Sequence, residues 1–430
     1  MVSVLRPPST DQRGARAIVT ATVSGPVDVV CLGESMVTFL PTRPGRLAEV
    51  PSFVRGIGGA ESNVACGLAA SGHSAKWVSR VGADGFGEHL VAAIASYGVD
   101  TSAVQRDAHR PTGIYFRTAG ERATGSRGED AGEDAAAGRA EVVYYRAGSA
   151  ASAMSPPTMP YKDLWSGRIL HLSGITAALS ADCLALLREL TTRTAGRPLV
   201  SFDVNYRVNL WSDAEGPRVL LGLARGADIV FVGEDEAEAA WGLRGGPAIR
   251  AALPEPEVLV VKRGAQGAVA YVRCAEPVPY PPLPEPGAPP PDPRASNAGG
   301  AECAGGAECA GGAECAGRAE FGGPAPDTVT FMPAPRVDVV AHVGAGDAFA
   351  AGFLSATLRG LPPGDRLRHG HLMAAATLTV AGDLAVPPGR AHADRLAALD
   401  GPAWGTLRLG PGWTAATEQD PQDQVEVPTA

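Results

Sequence analysis

The sequence predicts an α/β fold whose central sheet is mostly parallel and covered by helices on both faces. Two observations carry this. Short β-branched runs alternate with helical apolar patterns through most of the chain, the rhythm of strand–helix–strand units. Polar and glycine-rich clusters fall where strands should end, the edge at which such sheets bind ligands.

The first strand is expected at Val27 to Leu32, a β-branched run ending at Gly33-Glu34. Gly58-Gly59-Ala60-Glu61-Ser62-Asn63 then opens a helix whose small face runs through Ala65, Leu68 and Ala69 to a stop at Gly72. Lys76 to Val81 predicts a strand and Gly87 to Tyr97 a helix. Strands are expected at 113–118, 141–146, 168–172, 199–204, 229–232, 257–261 and 268–272. Helices are expected at 181–192, 214–225 and 235–241, and again from Ala348, where Phe349, Phe353, Leu354 and Leu358 recur three to five residues apart.

Residues 120–140 form a Gly/Ala/Glu/Asp/Arg stretch, expected as a hairpin insertion. Residues 276–327 are Pro-rich and then carry Gly-Gly-Ala-Glu-Cys-Ala three times in tandem, from Gly299 to Ala316. That composition cannot bury a core, so disorder is expected. Cys303, Cys309 and Cys315 take their spacing from the repeat, with no His among them, and do not read as a zinc site. The resulting division is an N-terminal extension at 1–26, one domain at 27–400 with these two insertions, and a C-terminal tail at 401–430.

The chain has 430 residues and a net charge of −9. That charge argues against nucleic acid or an anionic membrane as the main partner. No apolar run is long enough to span a bilayer. Met1 to Pro26 has several arginines but no continuous apolar stretch, so it does not read as a signal peptide. The seven cysteines do not suggest a disulfide framework. A cytoplasmic protein is expected.

Several clusters could carry chemistry. Gly344-Ala345-Gly346-Asp347 precedes the helix expected from Ala348. A helix start leaves N–H groups unpaired and is electropositive, and residues with almost no side chain let an anion approach. Asp347 would stand beside that anion as a general base, or it is simply a partner for the helix dipole.

In alternating strands Tyr115 and Arg117 share one face, as do Tyr144 and Arg146. They suit a carboxylate clamp, or the aromatic and charged pairs of an exposed sheet face. Asp203-Val204-Asn205-Tyr206-Arg207 ends a buried-type strand. It could contact a polyol or acid, or form an Asx turn. Lys262-Arg263-Gly264-Ala265-Gln266-Gly267 suits a nucleotide's phosphates, or any hairpin. Glu234-Asp235-Glu236 opens a helix. Its acidic residues either complement the dipole or order Mg²⁺ through water.

In their order these segments resemble the ribokinase-like, or PfkB-type, sugar kinases, over roughly Val27 to Pro388 outside the insertions. The two signatures of that family correspond to Gly58–Asn63 and to Gly344–Asp347. Tyr144–Ala150, His171–Thr176 and Asp203–Trp211 are most similar to the subgroup acting on 2-keto-3-deoxygluconate.

The resemblance implies a ribokinase-like, Rossmann-type three-layer core with a small β lid built from Ser35–Gly56 and Pro111–Arg146. It implies transfer of the γ-phosphoryl of ATP to a primary hydroxyl of the sugar acid, with Mg²⁺. Asp347 matches the base, and Gly344, Ala345 and Gly346 match the anion hole. Gly59, Asn63, Tyr115, Arg117, Tyr144, Arg146, Arg207 and Asp383 are implied at the sugar. Lys262, Gly264, Gly267, Gly344, Gly346 and His371 are implied at the nucleotide, and Glu236 at the metal through water. A homo-oligomer formed through the lid is implied too.

Gly233 stands where the family commonly has Asn, with Glu236 retained three residues on. Ala341-His342 replaces Asp-Thr or Asp-Pro, which leaves a monovalent-cation requirement open. His371 replaces an Asn. Fructokinase, ribokinase, 2-deoxy-5-ketogluconate kinase and a non-catalytic sugar-acid sensor are the alternatives.

Overall fold

Eight strands build the central sheet, and a four-stranded sheet stands apart from it. The computed structural model describes residues 27–43, 45–118, 142–211, 215–273 and 327–415. The extension at 1–26, the stretch 120–140, all but the last residue of 276–327 and the end of the chain from 416 lie outside the described residues.

The chain begins with β1 (Val27–Leu32), β2 (Met36–Pro41), β3 (Phe53–Gly58), α1 (Ala60–Ala70) and β4 (Ala75–Val78). Next come β5 (Arg80–Gly82), α2 (Gly85–Ser96), β6 (Gln105–Asp107), β7 (Ile114–Arg117) and β8 (Val142–Tyr145). Alternation then sets in. It runs through α3 (Tyr161–Leu164), β9 (Gly167–Ser173), α4 (Gly174–Ala177), α5 (Ala181–Thr191), β10 (Leu199–Asp203) and α6 (Glu215–Gly226). It continues through β11 (Ile229–Gly233), α7 (Glu234–Trp241), α8 (Gly246–Ala252), β12 (Val258–Lys262), β13 (Ala268–Arg273) and β14 (Asp327–Met332). The last elements are β15 (Arg336–Val337), α9 (Ala345–Leu358), α10 (Pro363–Leu378), α11 (Arg390–Ala397), α12 (Gly401–Thr406) and β16 (Arg408–Leu409).

The large sheet has the order β14-β13-β12-β11-β10-β9-β1-β4. Its six strands from β12 to β4 are parallel, and β13 and β14 add an antiparallel edge. The small sheet has the order β3-β2-β7-β8 and draws on both segments expected to form the lid. In that sheet Arg117 is opposite Val142, and in the large one Arg273 is opposite Asp327. Each insertion therefore leaves and returns at one point of an antiparallel pair, where added length disturbs no ladder.

Both faces of the large sheet are buried. Phe202, Leu172, Leu186, Leu220 and Val261 belong to the core on one side. Val29, Phe231, Val260, Leu68 and Phe353 belong to the core on the other. The aromatic residues fix α9: the Phe231 ring meets Phe353 edge-on at 5.4 Å and Phe349 at 6.5 Å. Burying a Phe of this kind contributes roughly 1.5–3 kcal/mol. A Cβ on Gly67 would lie 2.9 Å from the Ala351 methyl, and one on Gly352 would lie 2.3 Å from the His369 carbonyl oxygen. Only bare backbone lets α1 and α10 come this close to α9.

Two boundaries differ from the sequence reading. The strand expected at Lys76 to Val81 is two strands, because the chain leaves the large sheet at Ser79. There β5 pairs with β6 instead, with Arg80 bonded to Asp107 at 2.9 Å. The tail assigned from residue 401 is folded as far as Ala415. Asp400 caps α12 by accepting from the Ala403 N–H at 2.8 Å. Trp404 is 1% exposed and donates its indole N–H to the Pro333 carbonyl at 2.8 Å. One buried aromatic on a six-residue helix leaves no periodicity to read.

Candidate functional site

α9 starts beside the carboxyl ends of the parallel strands, where a Cβ on Gly346 would lie 3.5 Å from Lys262 Nζ at the end of β12. Gly344 caps α9 in the left-handed region, with φ of 77°. A Cβ on it would lie 2.3 Å from the Asp383 carbonyl oxygen, so only glycine fits. Asp347 lies in the first turn and keeps part of its surface open. Its Oδ2 accepts from Asn63 Nδ2 at 2.9 Å, which ties the helix start to α1. Burial pushes the Asp347 carboxyl up to about 7. The Asn63 hydrogen bond pulls it down, the Asp203 charge adds to the rise, and Lys262 and Arg207 oppose it. A carboxylate that titrates near neutrality is suited to taking a proton at working pH.

Asp203 ends β10 and Lys262 ends β12. The Lys262 ammonium donates to both oxygens of Asp203, at 2.9 and 3.0 Å. Burial would push that ammonium down, but the Asp203, Glu236 and Asp347 charges prevail and raise it. Arg207 reaches Glu236 Oε1 at 3.4 Å, and Glu236 Oε2 accepts from the Gly233 N–H at 3.0 Å. Burial chiefly raises the Glu236 carboxyl. Between Asp203 and Arg207, Asn205 has φ of 41°, the only positive value outside glycine among the described residues. Strain of this kind costs about 1–3 kcal/mol and clusters at working sites.

The small sheet closes the other end. Tyr115 and Tyr144 are directly opposite across β7 and β8, so the tyrosines and Arg117 share a face. The two rings lie 5.4 Å apart, and the Arg146 guanidinium sits 5.7 Å from the Tyr144 ring centre. The Tyr115 hydroxyl donates to Asp383 Oδ2 at 2.7 Å, and Arg117 pairs with Asp383 Oδ1 at 2.9 Å. Burial holds the Tyr115 phenol well above its ordinary value, with the Asp383 charge adding. A Cβ on Gly58 would lie 2.4 Å from the Tyr115 hydroxyl, and one on Gly59 2.4 Å from the Glu34 carbonyl oxygen. The double glycine therefore lets α1 start directly beneath the small sheet.

The arginines expected at a carboxylate clamp already have carboxylate partners inside the chain. Arg117 also donates to the Ala381 carbonyl at 2.9 Å, and Arg146 pairs closely with Glu34, which accepts from Ser149 Oγ at 2.6 Å. Both guanidiniums are nearly buried and neutralised inside the chain. Arg207 is the more open of the three, with a third of its side chain exposed and a longer contact.

His371 stands apart. Its Nε2–H donates to the Met332 carbonyl at 3.1 Å, its ring packs edge-on against Phe349, and burial lowers its pKa to about 4. The structure makes it a neutral core residue. Gly264 and Gly267 shape the turn from β12 to β13. The Arg263 N–H donates to the Gly267 carbonyl at 2.8 Å, and a Cβ on Gly267 would lie 2.2 Å from the Met332 carbonyl oxygen.

Asp203 belongs to the segment expected to contact a polyol or acid, whereas nothing in the sequence assigns Glu34 or Glu61 to the site. Glu61 is buried, accepts from Ser173 at 2.8 Å and Thr176 at 2.7 Å, and so ties α1 to the end of β9. Its signal was acidity inside an otherwise small and apolar helix face. Glu34 shows in the sequence only as an acid at a strand end.

A model of the pfkB family carbohydrate kinases matches residues 27–285 and 323–388. The chain belongs to the pfkB family of carbohydrate kinases. It is 30% identical to a 2-dehydro-3-deoxygluconokinase of Bacillus subtilis (strain 168) over 85% of this chain and 93% of that protein. It is 32% identical to fructokinase-1 of Oryza sativa subsp. japonica over 57% of this chain and 73% of that protein. Among solved structures it resembles a PfkB protein of Polaromonas sp. JS666, with a TM-score of 0.62 and 29% identity, covering 86% of this chain and 99% of that one. A fructokinase of Xylella fastidiosa with bound ATP shares the fold at a TM-score of 0.61 and 19% identity, covering 86% and 97%. The chain is thus a PfkB-type sugar kinase, and no helix among the described residues is long and apolar enough to cross a membrane.

Proposed function

We propose that this kinase transfers the γ-phosphoryl group of ATP to the primary hydroxyl of 2-keto-3-deoxygluconate, giving 2-keto-3-deoxy-6-phosphogluconate. The observation that carries the phosphoryl transfer is Asp347, and the 30% identity to a 2-dehydro-3-deoxygluconokinase over 85% of the chain favours the sugar acid. Asp347 lies in the first turn of α9 with its carboxyl poised near pH 7, held by Asn63 beside Gly344, Ala345 and Gly346. Asp347 takes the proton of the attacking hydroxyl. The α9 N-terminus stabilises charge on the transferring group, since phosphoryl transfer depends on positioning and electrostatics.

Gly59, Asn63, Tyr115, Tyr144 and Arg207 would hold the sugar. Arg207 is the cation best placed for a carboxylate, while Arg117, Arg146 and Asp383 hold the pocket wall. Gly264 and Gly267 would shape the nucleotide side.

Among the described residues no group of three or more His, Cys, Asp or Glu is arranged to hold a metal directly. One engaged carboxylate at Glu236 fits an ion that keeps most of its waters. Glu236 would order that shell, and Mg²⁺ would neutralise phosphate charge. On the face of the small sheet away from Tyr115, Phe39 and Phe116 stack at 4.8 Å, Phe39 also meets Phe86 of α2, and Tyr145 at the edge is 62% exposed. This aromatic face supports contact between two copies through the lid.

Release of ADP, followed with 2-keto-3-deoxygluconate, gluconate, fructose and ribose, tests the substrate. The internal pairing of Arg117 and Arg146 favours a second reading, a neutral hexose such as fructose. Turnover of fructose or ribose without turnover of the keto acid would refute the sugar-acid assignment and leave the kinase class standing.

A further inference from the structure

Lys262 and Asp203 form a buried ion pair that links the carboxyl ends of β12 and β10. β11 lies between β10 and β12, and its residue opposite Lys262 is Gly233. A strand ending in glycine puts no side chain between the two groups, so the lysine can reach across to Asp203. The pair is nearly enclosed, with 17% and 4% of the side chains exposed. Two oxygens of one carboxylate then fix the ammonium rather than leaving it to swing.

The ammonium points at the start of α9. A Cβ placed on Gly346 would lie 3.5 Å from Lys262 Nζ. The side chain therefore ends against the middle residue of the Gly344–Asp347 turn, rather than in the Gly264–Gly267 turn that follows its own strand. Its charge is also felt at the Asp347 carboxyl. A cation held against the helix start that carries Asp347 would face the transferring phosphoryl group.

We propose that Lys262 is a catalytic residue acting on the transferred phosphoryl group, and that Asp203 is the positioning residue that aims it. The proposal rests on the kinase reading above. In the step, the sugar hydroxyl oxygen forms the new bond to the γ-phosphorus, and its proton goes to Asp347. The bond from that phosphorus to the bridging oxygen breaks, and its electron pair leaves on ADP. Lys262 neutralises the equatorial oxygens as charge spreads over them, and gives up no proton. An ammonium serving that group strengthens its contact in the transition state and lowers kcat when removed. One serving nucleotide affinity changes KM for ATP instead.

The test is steady-state kinetics with the best sugar of the panel, alongside ADP binding by calorimetry, for Lys262→Met, Lys262→Arg and Asp203→Asn. Lys262→Met should lose about 100-fold or more in kcat, with KM for ATP and ADP affinity changed by less than about threefold. Asp203→Asn should show a smaller loss, again in kcat, because the ammonium remains but is no longer aimed. Lys262→Arg should recover part of the loss at Met. A rise in KM for ATP with kcat retained in the Met or Arg variant overturns the proposal, as does Asp203→Asn with parental kcat. If Lys262→Met fails to fold, the same split in Lys262→Arg and Asp203→Asn decides the matter. Absence of turnover by the parent with every sugar would refute the substrate reading itself, a different outcome from any of these.

Discussion

Replacing Asn63 with Leu removes the donor that holds Asp347 while keeping the number and branching of side-chain heavy atoms. Asn63 Nδ2 sits 2.9 Å from Asp347 Oδ2, and this bond is the largest influence holding the carboxyl down to about 7. A hydrogen bond to a charged group is worth about 1.5–3 kcal/mol, and 1.36 kcal/mol corresponds to roughly one pKa unit. The variant's base should therefore titrate about one to two units higher. Asp347 acts deprotonated, so activity rises with pH through its pKa, and the acid limb should move upward. At pH 7 the ionised fraction falls from about half to a tenth or less, a loss of roughly fivefold or more that pH 9 largely restores. The assay is the pH profile of kcat/KM at saturating ATP. Asn63 also faces the sugar, so the height of the profile will fall too; the position of the limb is the discriminating quantity. A limb that stays near pH 7, or moves down, refutes the base assignment or the role of Asn63 in it.

Gly344→Ala meets both a positive φ and an oxygen 2.3 Å from the new methyl. It should lose at least about 1–2 kcal/mol of stability in urea titration and most of its kcat, and near-parental stability would contradict the left-handed cap. Trp404→Ala should cost about 3–5 kcal/mol by the same measurement, whereas a tail residue would cost nothing. Asp347→Asn should abolish turnover while sparing sugar binding. Because the folded carboxyl titrates near 7 rather than 3.8, the native state holds its proton more tightly than the unfolded chain. Parental stability should then decline from about pH 4 to about pH 7 and flatten above. The variant lacks that decline, so its advantage in melting temperature should grow across this window, and a constant difference would argue against the raised pKa.

The site holds two populations of charge. Glu34 with Arg146 and Asp383 with Arg117 are internal pairs that brace the small sheet against β1 and the loop after α10. Breaking one such pair leaves a buried charge unmatched, which typically costs about 3–5 kcal/mol. Arg146→Ala would therefore report on folding before it reports on substrate choice. Lys262, Asp203 and Arg207 instead gather around Asp347 and share in setting its titration, while Glu236 acts on the Lys262 ammonium.

Periodicity and turn chemistry were enough to read the alternating core, the Gly58–Asn63 and Gly344–Asp347 helix starts, and the pairing of Tyr115 with Arg117 on one face. These are local properties: each depends on residues a few positions apart, and a helix start advertises itself by the small residues it needs. The partners of the charged groups were not legible. Arg117 and Asp383 are separated by 266 positions in the chain and meet only because the small sheet folds over the loop after α10. Nothing near Arg146 announces Glu34, and nothing near Lys262 announces Asp203. A guanidinium looks the same in sequence whether it waits for a substrate or is already neutralised. The place of His371 beside Met332 and Phe349 is likewise set by how α10 packs, which its neighbours in sequence do not announce. Which residues carry chemistry could be narrowed from the chain; which charges remain free was decided by long-range packing, because pairing depends on distances that chain order does not encode.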